Sequence, residues 1–179
     1  ANLKVGSLSL RNCAVLEALP EGLECWFLDM TGCEQFSRWP QRANISAGSV
    51  ILRDCRSLSY LPPWLTRLAN LDLAGCLQLQ QLPPDLMLTG WLDLAGTAIA
   101  ALPPRLADTR LRWRGVRIDR RIAFEPASIT AMEALKEPNA ELRRVMIERM
   151  GALEFAQQAN AQVLDEDTDA GGRRRLLHI

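Results

Sequence analysis

Leu71-Asp-Leu73-Ala-Gly-Cys76-Leu-Gln-Leu79-Gln-Gln-Leu82-Pro83 is one copy of a pattern that this chain of 179 residues writes five times. The other copies begin Leu8-Ser-Leu10, Leu28-Asp-Met30, Val50-Ile-Leu52 and Leu92-Asp-Leu94, so the starts fall at 8, 28, 50, 71 and 92. Spacings of 20, 22, 21 and 21 residues are the signature of a repeat stack. A coil this short cannot bury its own leucines. Stacked on its neighbours it can, each buried leucine contributing about 1.5 to 3 kcal/mol. Alternation along a strand turns Leu71 and Leu73 inward and Asp72 outward. The Leu-Pro-Pro steps at Pro62-Pro63, Pro83-Pro84 and Pro103-Pro104 forbid a helix there and predict an extended or 3₁₀-like return.

In register, Cys13, Cys33, Cys55 and Cys76 occupy one position, five residues after the first strand residue, and Thr97 takes it in the fifth copy. At that point the chain bends away from the strand, and a small side chain with a weak donor fits a backbone carbonyl beneath the turn. Cys25, outside the ladder, reads as a small buried hydrophobe. With a sixth, degenerate strand at Leu111-Arg-Trp113, residues 3–118 resemble the cysteine-type leucine-rich repeats of plant immune receptors and of many bacterial proteins. The resemblance implies an α/β solenoid, an arc with short parallel strands on its concave face, over residues 1–118.

From Glu125 a helical period replaces the repeat. Ile129, Met132 and Leu135 are expected on one buried face, with Thr130 and Glu133 spaced as a capping box. A second helix is predicted from the N-cap Asn139 through Leu142, Val145, Met146 and Met150 to Gly151, and a third over Leu153 to Gln158, ended by Asn160. A hairpin is expected from Gln162–Leu164 and Arg175–Ile179, with Asp165, Asp167 and Asp169 in a solvated turn rather than a calcium loop, since Ala170 stands where such a loop needs glycine. Residues 119–179 therefore read as a helical and β-hairpin cap that closes the stack. The runs Asn139–Gly151, Val163–Asp167 and Gly171–Leu177 resemble an uncharacterised bacterial domain that follows such repeats; its members continue past the hairpin, which implies more chain beyond Ile179.

Bulk properties exclude several functions. Basic and acidic residues balance at 21 each, which argues against a general affinity for nucleic acid or anionic membranes. No apolar run is long enough for a bilayer. Five thiols without a secretory pattern favour a reducing cytosol. His178 is the only histidine, and no phosphate loop, zinc-helix motif or nucleophile–base pair is present, so no enzyme and no cofactor is expected. Bacterial leucine-rich-repeat ligases use similar Leu-Pro coils, but they place asparagine where this chain has cysteine.

What remains is the outward face of the strands. Register assigns its middle column to Ser9, Asp29, Ile51, Asp72, Asp93 and Arg112, flanked by Phe27, Arg53, Trp91 and Arg110. Of these, Phe27, Asp29, Arg53, Asp72, Trp91, Asp93, Arg110 and Arg112 are the candidate site for a protein partner. The acidic column with its aromatic neighbours predicts a basic or arginine-bearing partner, and reversing Asp72 and Asp93 is expected to abolish binding at little cost in stability. Arg112 is the expected counter-charge for the aspartates. Two readings of the arginines from Arg105 to Arg121 stay open: a solvated last coil, or a basic patch for an acidic partner, with Arg110, Arg112 and Arg114 alternating on one face. An alternative role for the whole chain is a structural or regulatory segment packing against a domain outside this sequence, since Ala1 falls inside the repeat register.

Overall fold

A computed structural model describes residues 3–160, 162–169 and 172–178, and the chain divides into two units, Ala1–Ile118 and Asp119–Ile179. The first unit is a parallel-strand β-solenoid of about five turns. Its strands are β1 (Ser7–Ser9), β2 (Leu23–Asp29), β3 (Ala43–Ile51), β4 (Arg67–Leu68), β5 (Asn70–Asp72), β6 (Met87–Leu88), β7 (Trp91–Asp93), β8 (Arg110–Trp113) and β9 (Val116–Ile118). One seven-stranded sheet runs β1-β2-β3-β5-β7-β8-β9, and β4 pairs with β6 in a small second sheet.

The repeat register is the register of the sheet. Leu8, Leu28, Val50, Leu71, Leu92 and Leu111 pair in sequence across five parallel interfaces. Leu28, Val50, Leu71 and Leu92 are fully buried, as are Phe36, Leu58 and Leu79 further round the coil, which places the core between the large sheet and the return segments. The Leu-Pro-Pro steps each build one turn: the Leu65, Leu86 and Leu106 amides donate to the carbonyls of Pro62, Pro83 and Pro103 at 3.0, 3.1 and 2.9 Å. Proline in second place of such a turn has its φ already set. The returns carry the short strands β4 and β6 and a 3₁₀ turn at Pro104–Leu106.

Two features of this unit were not expected. The sheet ends in a hairpin, β8 pairing antiparallel with β9 around Arg114 and Gly115, whose φ angles are 51° and 87°. Two central residues with positive φ make the turn whose twist matches paired strands. The other is a bulge between β2 and β3. Cys25 pairs with Ile45 and Phe27 with Ser49, so Trp26 faces three residues, one of which is Ala47 at φ 64°.

The second unit contains α1 (Arg120–Phe124), a 3₁₀ turn at Pro126–Ser128, α2 (Ala131–Lys136), α3 (Ala140–Met150), α4 (Ala152–Gln158) and the antiparallel pair β10 (Gln162–Asp169) and β11 (Gly172–His178). Every helix but α4 opens on a side-chain cap. Asp119, Thr130 and Asn139 each accept a first-turn amide, and Gly151 at φ 95° ends α3.

Three expectations are corrected in this unit. Met132 and Leu135 lie exposed, and α2 buries Ala131 and Ala134 instead, because the short helix meets its neighbours through its smallest side chains. The capping box is half made: the Thr130 hydroxyl accepts the Glu133 amide at 3.2 Å, but the Glu133 carboxylate goes to Arg121, whose guanidinium holds its carboxyl below the ordinary range. Asp165, Asp167 and Asp169 stand within β10, in register with Leu176, Arg174 and Gly172, so the acidic run is strand and not turn. Half-buried Arg149 has a role that no periodicity marks. It donates to the Ile122 and Ala123 carbonyls at 2.9 and 2.7 Å.

Candidate functional site

The outward face of the sheet is built by the turn that follows each strand. In every coil the fifth residue, counted from the first strand residue as one, enters the left-handed region: Asn12, Gly32, Asp54, Gly75, Gly96 and Gly115 have φ between 59° and 87°. Glycine does so without steric cost, and Asn and Asp tolerate it. Below the turn the cysteine ladder forms as expected. The thiols of Cys33, Cys55 and Cys76 donate to the carbonyls of Leu10, Met30 and Leu52 in the preceding coil at 3.0, 3.3 and 3.1 Å. Thr97 donates within its own coil, to Leu94 at 2.9 Å.

Burial raises the thiol pKa values of Cys25, Cys33, Cys55 and Cys76, that of Cys76 to about 12, while Cys13 in the first coil is exposed. The thiolate is the reactive species, so only Cys13 should react with Ellman's reagent in the native protein near pH 8, and all five in denaturant. Rapid modification of two or more native thiols would contradict this burial.

The predicted middle column exists. Ser9, Asp29, Ile51, Asp72, Asp93 and Arg112 are neighbours in successive strands, and the hairpin adds Arg117 beside Arg112. Its chemistry differs from the expectation. Asp72 is 4 % exposed and Asp93 is 0 % exposed, so neither offers a carboxylate to a partner. Each bends back onto the turn of its own coil: Asp29 accepts the Thr31 amide at 3.0 Å, Asp72 the Ala74 amide at 3.0 Å and Asp93 the Ala95 amide at 3.1 Å. This is the Asx turn, in which a short carboxylate takes an N–H two residues on.

The counter-charges come from the preceding coil. Arg53 donates to Asp72 at 2.7 Å and Arg11 lies 3.6 Å from Asp29. Coils one and three thus supply an arginine and a left-handed Asn12 or Asp54, and coils two and four an aspartate and a glycine. The pairing is steric as well as electrostatic, because a methyl group at Gly32 or Gly75 would meet the Asn12 or Asp54 side-chain oxygen at 2.5 or 2.3 Å.

Asp93 has no such arginine, since Ala74 stands in the place that Arg53 holds one coil earlier. Its second oxygen takes the Gly115 amide at 2.6 Å, and its first also takes the Arg114 amide at 3.0 Å. Burial pushes its carboxyl up from the ordinary range, the Gly115 and Ala95 amides oppose this, and the Asp72 carboxylate adds to it. The buried carboxylate therefore pins the hairpin turn.

Arg112 is not the counter-ion of the aspartates. Its guanidinium carbon stands 4.3 Å from the centroid of the Trp91 ring. Arg114 lies in the turn rather than on the strand face, and Arg117 of β9 stands across from Arg112. Trp91 is set by Asn70, whose side-chain oxygen accepts the Trp91 amide at 3.1 Å and whose amide donates to Ser49 at 2.9 Å. Phe27, Ile51 and Trp91 are half-buried on the same face, and Arg110 is exposed. Ala74 and Ala95, two residues on from Asp72 and Asp93, are buried at 4 % and 1 % exposure.

The turn role of the aspartates was legible in principle, because Asp29, Asp72 and Asp93 are each followed by glycine three residues later. Arg117 left no such signal. No known family model, characterised protein or solved structure matches the chain. Among the described residues no helix is long and apolar enough to cross a membrane.

Proposed function

We propose that the solenoid is a non-enzymatic protein-recognition module of the leucine-rich-repeat kind, binding its partner on the outward face of the seven-stranded sheet, the concave face of the arc that such repeats form. One observation carries this reading: Phe27, Ile51 and Trp91 stand half-exposed on a face whose aspartates Asp72 and Asp93 are satisfied from within. Aromatic anchors of this kind dominate interfaces, and six strands at about 4.8 Å span roughly 25 Å, the width of a standard protein interface. The five free thiols, four of them buried, favour action in a reducing compartment.

A photo-crosslinking amino acid at Phe27 or Trp91 should yield adducts with one and the same protein in cell extract. Placed at Arg67, on the second sheet, it should not. Adducts absent from both sheet-face positions, or equally frequent at Arg67, would overturn the proposal. The exposed Met132, Leu135 and Leu153 favour a second reading, in which the helical unit packs against a further domain of a longer polypeptide. A crosslinker at Met132 that labels no other protein segment would count against it.

A further inference from the structure

The two ends of the outward face differ in how their arginines are used. Arg11 and Arg53 each have a carboxylate of the next coil. At the other end, Arg112 follows Asp93 in the column, but that carboxylate is turned to the amides of Ala95, Arg114 and Gly115. Arg117 stands directly across from Arg112 in the antiparallel pair, and Arg110 lies two residues along the same strand, so all three share one face. No carboxylate of the described residues pairs with any of them. Asp119, close by in sequence, spends its side chain on the Ile122 amide.

Like charges directly opposite in a sheet destabilise it, so the arrangement is not explained by folding. The position of Arg112 adds a second observation. Its guanidinium carbon stands over the Trp91 ring, and no hydrogen bond or ion pair among the described residues takes its N–H donors, which leaves them for a carboxylate that arginine can grip with two bonds.

We propose that this corner of the sheet binds an acidic peptide segment, with Arg112 and Arg117 taking its carboxylates and Trp91 an apolar side chain between them. This rests on the recognition reading above and reverses the sign of partner that the aspartate column suggested. A protein segment fits better than a nucleic acid. A phosphate backbone needs an extended row of free cations, and beyond Trp91 the row consists of arginines already neutralised by aspartate.

The test uses the full chain and a short fluorescein-labelled peptide of alternating Glu and Leu, with its Gln counterpart, read by fluorescence anisotropy. The Glu peptide should bind at least about tenfold more tightly than the Gln peptide, and the difference should shrink at high salt. The double variant Arg112→Gln, Arg117→Gln should bring the Glu peptide to the level of the Gln peptide, and Arg67→Gln should leave it unchanged. Arg112→Lys, which keeps the charge and loses the fork, should fall between, and melting curves establish that each variant is folded. Equal binding of the two peptides, or an unaffected double variant, overturns the proposal. So does tighter binding of a uridine-rich RNA oligonucleotide than of the Glu peptide, which would assign the corner to nucleic acid. If the Trp91 crosslinks stand while the Glu peptide shows no preference, recognition survives and the acidic partner falls; if the crosslinks fail, both do.

Discussion

Replacing Asp93 by alanine is expected to destabilise the solenoid by about 2 to 4 kcal/mol, since the buried Ala95 amide is orphaned, at about 1 to 3 kcal/mol, and the amides of Arg114 and Gly115 in the exposed turn lose the acceptor that holds them. The loss falls on the hairpin first. Arg114 holds a left-handed conformation that costs a non-glycine residue roughly 1 to 2 kcal/mol, and the carboxylate is what holds its amide and that of Gly115. Asparagine keeps one acceptor oxygen for Ala95 and Arg114 but turns its amide toward the Gly115 N–H, so D93N should fall between wild type and D93A. Thermal denaturation measures the order, and hydrogen exchange at Arg114 and Gly115 measures the place. A D93A protein melting within a degree of wild type would refute this account. The expectation that charge reversal at this residue leaves stability intact is withdrawn for the same reason.

The second large effect belongs to Gly48. A methyl group there would sit 1.4 Å from the Trp26 carbonyl oxygen and 2.4 Å from its carbon, both backbone atoms, so no rotamer relieves the clash. Gly48→Ala must displace β3 from β2, and about 3 kcal/mol or more is the expected cost, at the upper end for overpacking. Its neighbour responds in the opposite sense. Ala47 has φ 64°, and Ala47→Gly should raise stability by up to about 1 kcal/mol, the left-handed strain relieved less the entropy of the new glycine. Urea denaturation of the two single variants gives the comparison. Loss of stability in both, or in neither, would mean that the bulge is not packed as described.

These two residues show why the sequence was read well at one level and poorly at another. Leu28, Val50, Leu71 and Leu92 declare their side of the sheet by a period of two, and burial of the opposite side chain would be lost wholesale by any slip of register. The thiol ladder follows from the same register, and the caps Thr130 and Asn139 act within a few residues. Gly48 carries no such mark, because the atom that excludes a methyl group there belongs to Trp26, in another coil. Met132 and Leu135 keep a helical period, yet the helix turns its alanines inward, since a two-turn helix is oriented by what it packs against.

By itself, then, the sequence determined a stack of coils, the register between them, the buried leucine columns and the column of polar residues that points away from them. Only the tertiary structure decided what that column presents. A period of two assigns a side chain to a face, but a carboxylate short enough to turn back can leave that face for any amide within reach. For Asp72 the partners are its own turn and Arg53, nineteen residues earlier; for Asp93 they include the hairpin turn at Arg114 and Gly115. Those groups become neighbours only when the coils stack, and their arrival converts an acidic column into a buried brace that leaves Arg112 and Arg117 facing outward.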